Sequence, residues 1–251
     1  MAKVTAPFNI IGTIDGLNFY SANDQNYVRK VPETGITKEQ FRDNPVYDHI
    51  KKHGTEFGNC SSKSRVFRLL AKQFYDQAKE GSFAGRVNGL LFDVLGEDSN
   101  NEHGKRTVVN GLKTEKGVEL LIDFEANKLC PLDKTFNGEI DFNWDTLDLN
   151  IKSINPEKDI NWPQTEANVV HIQLAIANWN FEEDTSETKY SNLITFGKED
   201  VQQPVNWDIE TPAEKDLWLA FICISFGNKI RRKTKPVHKK FNTATILSYS
   251  S

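Results

Sequence analysis

The chain has 251 residues, of which 38% are hydrophobic and 26% are charged, and its formal net charge is −4. This composition is typical of a globular protein with a substantial core, and so small a net charge argues against nucleic acid as a partner. The three cysteines, Cys60, Cys130 and Cys223, are far apart and form no CxxC pair. They therefore argue against a disulfide framework and against a thiolate zinc site.

The sequence contains no segment with the character of a membrane anchor or a secretory signal. No run approaches the roughly 18 apolar residues that a membrane helix needs. Residues 1–16 lack the apolar region and the small-residue cleavage site of a signal peptide. We therefore expect no membrane span and cytoplasmic synthesis, with the final location of any assembly left open.

Residues 12–31, GTIDGLNFYSANDQNYVRKV, predict two strands joined by SANDQN. Because an isolated hairpin is marginal in water, this one needs a partner sheet. The partner is either the second half of the same chain, with Gly12 and Gly16 marking bulges, or the sheet edge of a neighbouring copy. The residues that would anchor contact with a neighbour are Phe19, Tyr20, Tyr27 and Arg29.

Three helices are predicted after the hairpin. Asn44 before Pro45 is a helix-start signal, and Gly54 predicts the end of a first short helix. A second helix is expected from about Ser64 to Gly81, and a third over residues 82–96. One apolar face is formed on the second by Phe67, Leu70, Ala71, Phe74 and Ala78, and on the third by Phe83, Val87, Leu90, Leu91, Val94 and Leu95.

From about Val118 the chain becomes a succession of short alternating or apolar runs with polar connections. This pattern predicts an antiparallel β-sandwich of the jelly-roll or immunoglobulin-like kind. The runs include a pair interrupted near Asp145 and Thr146, a half-buried strand over 168–181, a central strand over 216–226 and a last strand over 242–251. The expected fold is α+β, with a hairpin and helices in residues 1–117 and the β-sandwich in residues 118–251.

The chain carries few motifs typical of catalysis or cofactor binding. His49 and His53 lie four residues apart on a predicted helix and Glu56 follows, so two imidazoles could share one face. The residues between them lack the glutamate of HExxH, which favours a solvated helix face over a metal site. There is no G-x-S-x-G and no G-x-G-x-x-G motif. We therefore expect no catalytic residue, no cofactor, no metal and no enzyme activity.

Two loops of opposite charge lie in the second half. Glu182, Glu183 and Asp184 fall between two strand-like runs and indicate an exposed hairpin tip. The basic segment 228–240 can be a solvated loop, a phosphate or nucleic-acid site, or a contact for the acidic tip of a neighbouring copy. No aromatic residue interleaves its charges, which argues against base stacking. Its interface candidates are Arg231, Arg232, Lys233 and Lys235.

The segment GTIDGLNFY…YVRK, followed by FRDNPVYDHIKKHGTEFG, resembles a group of uncharacterised proteins from Bacteroidetes genomes. These carry a G-x-I-x-G-x-x-F-Y hairpin, a following Val-Arg, an Asn/Asp-Pro helix and a Glu-Phe-Gly. The resemblance covers roughly residues 10–80. It implies no activity and no site, and it makes an ordinary metabolic enzyme a poorer interpretation.

These observations favour a non-enzymatic structural subunit that assembles with itself into a tube, filament or virion-like particle through the hairpin and the charged loops. The alternative is a ligand- or carbohydrate-binding β-sandwich module, because the five tryptophans all lie in the second half. Exposed tryptophans on a concave face would support the alternative, and buried ones would remove it. The tryptophans are Trp144, Trp162, Trp179, Trp207 and Trp218.

Overall fold

The computed structural model describes residues 2–4, 10–22, 25–31 and 36–251. The chain divides into two compact units, Met1–Asp48 and His49–Ser251. Helices and strands are both present, which confirms the α+β class. This boundary lies earlier than the expected boundary between residues 117 and 118, because the helices after His49 share a hydrophobic core with the large sheet.

The first unit contains a four-stranded antiparallel sheet in the order β1-β4-β3-β2. Asp15 and Gly16 both have positive φ, 50° and 74°, and form the tight turn between β2 and β3. The predicted hairpin is present as β3 and β4, and its central residues 23–24 lie outside the described part of the chain. The strands are β1 Ala2–Val4, β2 Gly12–Ile14, β3 Leu17–Ala22 and β4 Gln25–Lys30.

Helix α1, Lys38–Asp43, begins with a capping box in which the side chains of Thr37 and Gln40 each bond the other's backbone. Asn44 then caps a short 3-10 turn, Pro45–Tyr47, as its sequence predicts. The following helix does not end at Gly54: α2 runs from Asp48 to Leu70. The remaining helices are α3 Lys72–Ala78, α4 Phe83–Gly96, α5 Val108–Leu112, α6 Glu115–Glu119, α7 Leu132–Thr135 and α8 Pro156–Asp159.

The second unit is organised around one curled antiparallel sheet of six strands. Its two long central strands, β8 Val169–Asn180 and β12 Leu217–Ile230, pair from Leu217↔Trp179 to Gly227↔Val169. Both the central strand over 216–226 and the last strand are confirmed. The other strands are β9 Thr185–Tyr190 and β10 Ile194–Gly197, which pair with β8, and β13 Lys233–Pro236 and β14 Thr243–Ser250, which pair with β12.

Each face of this sheet is covered by a different kind of layer. One face packs on the helices, and its buried cluster includes Phe67, Leu91 and Trp179. The opposite face packs on loops and on two small two-stranded sheets. These are formed by β5 Phe142–Asn143 with β6 Asp148–Leu149, and by β7 Ser153–Ile154 with β11 Gln203–Pro204. Helices therefore stand where the second large sheet of a jelly roll would lie.

The sequence predicts that strand β8 is buried on one face only, but much of it is buried on both faces. Val170 and Ile172 face the loop-covered cluster, as their alternation predicts. On the other face Ala175, Ala177 and Trp179 are buried against the helices, so the strand is not half-buried along its length. The break near Asp145 and Thr146 is a turn between β5 and β6, in which Leu147 has φ 54°.

No helix in the described part of the chain is both long enough and apolar enough to cross a lipid bilayer.

Candidate functional site

The sheet of the first unit has two chemically different faces. Directly opposed residues of an antiparallel pair share a face, so Phe19 lies with Val28, and Ile14 with Leu17. We call these four apolar residues, of which Phe19 is aromatic, the aliphatic face. Lys30, which is opposite Leu17, lies on the same side of the sheet. Ile14 is 56% exposed and Leu17 is 40% exposed. An apolar surface of this kind is a candidate contact for another protein surface.

The other face of the same sheet carries Tyr20, Tyr27 and Arg29, which we call the tyrosine face. The two tyrosine rings are stacked with centroids 5.6 Å apart, and the Arg29 guanidinium lies 5.5 Å from the Tyr20 centroid. Arg29 thus makes a cation–π contact within its own chain. The expected anchors are therefore divided between two faces, since Phe19 points away from Tyr20 and Tyr27.

The acidic turn, residues 182–184, connects β8 to β9. The Lys63 ammonium of α2 donates to Asp184 at 2.7 Å and to the Phe181 carbonyl at 2.6 Å. Glu182 pairs with Lys113 at 2.6 Å, and this contact lowers the pKa of Glu182. Two of the three carboxylates are thus neutralised by lysines of the same chain. The charge that the turn offers to a neighbouring copy is smaller than the sequence indicates.

The basic segment folds back on itself as the hairpin of β12 and β13, with Arg231 in the left-handed region at φ 57°. We call residues 229–236 the basic hairpin. Its four interface candidates are exposed, and the described part of the chain contains no ion pair to any of them. They are Arg231, Arg232, Lys233 and Lys235.

None of the five tryptophans forms an exposed platform for sugar stacking. Trp179 is fully buried and Trp207 is 7% exposed. The other three are partly buried against the core, and each ring nitrogen donates to the protein: Trp144 to Ser248, Trp162 to the Pro156 carbonyl and Trp218 to the Glu214 carbonyl. The geometry therefore gives no support to the carbohydrate-binding alternative.

Three histidines meet at the surface of the second unit, at a place where the sequence predicts only a solvated helix face. His49 and His53 lie one turn apart on α2, and His103 comes from the loop between α4 and α5. One ring nitrogen from each lies within 4.8 Å of the others. The spacing of His49 and His53 predicts that these two share a helix face, but no local pattern indicates His103, which is 50 residues after His53.

The loop that carries His103 is held against α2 by the buried carboxylate of Glu56. This carboxylate accepts from the Gly104 amide at 2.7 Å and from Arg106 at 2.9 and 3.0 Å. The hydrogen bond from Arg106 is the main reason that the pKa of Glu56 falls to about 2. Glu56 Oε2 also lies 3.6 Å from His103 Nε2. The third histidine is therefore positioned by a fixed, charged group.

A second buried carboxylate, that of Asp98, organises the start of the same loop. It accepts from the amides of Asn100, Asn101 and Thr107 at 3.0, 3.2 and 2.9 Å. Burial raises the pKa of Asp98, but the hydrogen bonds from the Asn101 side chain and from the Thr107 and Asn100 amides outweigh it, so the pKa is lowered. Asp98 therefore fixes the backbone of its own loop by hydrogen bonds, in a segment without regular secondary structure.

Together these features define an α+β protein with an amphipathic N-terminal sheet and a curled sheet that is covered by helices on one face. Comparisons with protein-family models, with curated proteins and with solved structures gave no match. The resemblance of residues 10–80 to the Bacteroidetes group therefore stays a prediction.

Proposed function

We propose that the protein is a non-enzymatic structural subunit that assembles with copies of itself through its N-terminal sheet. The observation that carries the proposal is the exposure of this unit. Among residues 10–21, 25–31 and 36–48, no residue is buried. The same part of the chain presents Ile11, Ile14, Leu17, Val31 and Ile36 at exposures of 36% or more.

A small sheet without buried side chains gains little from the hydrophobic effect. Fully burying one side chain of the size of Leu or Ile stabilises by about 1.5–3 kcal/mol. The aliphatic face has four apolar residues to contribute if a second surface covers it. A second copy supplies a surface that is chemically identical, and two-fold packing makes such a face self-complementary.

The geometry of the sheet favours contact through the face over extension of the edge. Its two edge strands, β1 and β2, have only three residues each. Short edges offer few free backbone groups to a neighbouring strand. Two aliphatic faces can instead stack about 10 Å apart, as packed sheets do.

A tube, filament or virion-like particle needs a second contact besides this one, because a two-fold pair is closed. The basic hairpin is our candidate for that contact, since its charges are exposed. An apolar contact persists at high salt, whereas a contact between charged surfaces is screened. A comparison of assembly at low and high salt therefore distinguishes the contact through the aliphatic face from the contact through the basic hairpin.

The test compares the full chain with Phe19→Glu and with Asn18→Glu, which places the same charge on the opposite face of the same strand. Light scattering and negative-stain microscopy at low and high salt give mass and shape. We expect assemblies of the unaltered chain and of Asn18→Glu. Phe19→Glu should be monomeric at high salt and, at low salt, should retain only the contact through the basic hairpin. A Lys233→Glu/Lys235→Glu variant should shorten polymers to pairs.

Monodisperse monomer in the unaltered chain at every concentration and salt would contradict the proposal. Equal assembly of Phe19→Glu and the unaltered chain would exclude the aliphatic face as the contact. Circular dichroism of each variant establishes that a change in mass is not a loss of folding.

A further inference from the structure

The three histidines His49, His53 and His103 form a group that we call the histidine cluster. Its ring centroids are 4.4 Å apart for His49 and His53, 4.7 Å for His53 and His103, and 5.4 Å for His49 and His103. From these residues we propose that the second unit has a binding site for one divalent transition-metal ion, with Zn²⁺ as its reference ligand.

The spacing of the nitrogens fits this kind of ion after a small closure. Zn–N bonds of about 2.0–2.1 Å at tetrahedral angles place ligand nitrogens roughly 3.3 Å apart. The nitrogens of the cluster lie within 4.8 Å of one another, so rotation of the side chains has to shorten the longest distance by roughly 1.5 Å. His49 is exposed and His103 is partly buried, so the rings have room to rotate.

Two of the ligands are placed by helix geometry alone. Residues four apart on an α-helix lie on the same face, and this brings His49 and His53 together without help from the rest of the fold. The α2 helix is continuous through this segment. A pair of imidazoles on a rigid helix is a common half of a zinc site.

The third ligand is placed by the loop and by Glu56. The Gly104 amide and the Arg106 guanidinium, which closely follow His103 in the chain, bind the Glu56 carboxylate. Gly104 has φ +96° and lies so close to Lys52 that a Cβ there would be 2.5 Å from the Lys52 Cγ. The loop therefore rests tightly on α2 next to His53.

Glu56 also has the position of an orienting group. A histidine that binds a metal usually directs its other ring nitrogen to a carboxylate, which fixes the ring and raises its basicity. The Glu56 carboxylate lies 3.6 Å from His103 Nε2, which leaves His103 Nδ1 for the metal. In this arrangement Glu56 is a positioning residue and does not touch the ion.

The donor set determines the class of ion. Three imidazole nitrogens suit Zn²⁺, Co²⁺, Ni²⁺ and Cu²⁺, whereas Mg²⁺ and Ca²⁺ require oxygen ligands. Three protein ligands leave a fourth position for water or for a donor from another molecule.

The test uses the full chain, purified without a histidine tag and freed of metal with a chelator. Titration with Co²⁺ should produce the intense visible absorption of a four-coordinate ion at one equivalent per chain, and Zn²⁺ should displace it. Calorimetry then compares Zn²⁺ binding to the unaltered chain with His53→Gln, His103→Gln and the control His238→Gln, which removes an exposed histidine outside the cluster.

We expect His53→Gln and His103→Gln each to weaken Zn²⁺ binding by about 100-fold or more, and His238→Gln to leave it unchanged. Zn²⁺ should also raise the melting temperature of the unaltered chain but not of His103→Gln, since the ion links the loop to the helix. Binding by a His49→Gln/His53→Gln/His103→Gln variant that equals binding by the unaltered chain would overturn the proposal. So would the absence of any saturable binding to the unaltered chain.

Discussion

At the scale of the residue, several charged side chains of the second unit hold separate segments of the chain together by hydrogen bonds and ion pairs. Glu56 and Asp98 hold one loop, and Lys63 joins α2 to the turn after β8. Arg86 bridges Glu80 and the Ala126 carbonyl. A charge can be buried at low cost only when its hydrogen bonds are made, and each of these groups has its partners. The sequence shows that these residues are charged, but it does not show that they are buried or which groups they bind.

Glu80 gives a test of this role through pH. Its carboxylate accepts from the Ser82 hydroxyl at 2.6 Å, from the Ser82 amide at 2.5 Å and from Arg86 at 3.0 Å. These contacts, first among them the Ser82 hydroxyl, lower the pKa of Glu80 to about 2 from the ordinary 4.5. The stabilisation is therefore fully present above pH 4.5 and is lost as the pH falls from 4.5 to about 2.

We expect Glu80→Gln to lower the free energy of unfolding at neutral pH by about 1–2 kcal/mol. It should also lose less stability than the unaltered chain between pH 5 and pH 3. Urea denaturation at these pH values measures both effects, and the exposed Glu199→Gln serves as the control. If the unaltered chain and Glu80→Gln lose the same unfolding free energy between pH 5 and pH 3, the acid sensitivity does not come from Glu80.

At the scale of the element, helix α2 shows where local signals fail. A glycine inside a helix costs about 1 kcal/mol relative to alanine, so Gly54 is a plausible end. Burial of Cys60, Phe67 and Leu70 on the same helix outweighs that cost. The helix ends instead at Leu70, whose carbonyl accepts from the Thr188 hydroxyl of β9. Tertiary packing therefore sets its end.

The close packing of α4 and α5 predicts that alanine is tolerated at one glycine of this helix pair but not at another. A Cβ at Gly111 in α5 would lie 2.0 Å from the Val94 carbonyl oxygen of α4, whereas a Cβ at Gly89 in α4 meets no atom within 4 Å. Gly111→Ala should lower the free energy of unfolding by about 2 kcal/mol or more, because the two helices must separate. Gly89→Ala should be neutral or stabilise by up to about 1 kcal/mol.

Chemical denaturation of the two variants and of the unaltered chain measures this difference. If both substitutions stabilise equally, the close contact between α4 and α5 is not maintained in solution.

At the scale of the whole molecule, the two units differ in what supports them. Both hydrophobic clusters consist of residues from Cys60 onward, and together they cover the two faces of the large sheet. Among residues 10–21, 25–31 and 36–48, no residue is buried. The second unit therefore has the core that independent folding requires, whereas these residues of the first unit form none.

Removal of residues 1–36 should consequently leave the second unit folded. We expect its melting temperature to change by less than about 4 °C, which corresponds to roughly 1–2 kcal/mol for a domain of this size. Tryptophan fluorescence reports on this unit alone, since all five tryptophans lie between residues 144 and 218. Loss of a cooperative transition in the shortened chain would show that the first unit is part of the fold.

Features that depend on residues close together in the chain could be predicted from the sequence. The cap at Asn44 and helix α4 follow from local preferences and from apolar spacing. The strands β8, β12 and β14 follow from their apolar runs and alternation. These signals act over a few residues, and they were sufficient for the α+β class.

The packing of distant segments settles which elements share a core and which side chains meet. It placed helices on a sheet face where a second sheet was expected, carried α2 through Gly54, and paired Asp184 with Lys63. It also brought His103 to His49 and His53 across 50 residues of chain. The physical reason is common to all of these: burial and hydrogen bonding between distant segments exceed the small local preferences that a linear pattern records.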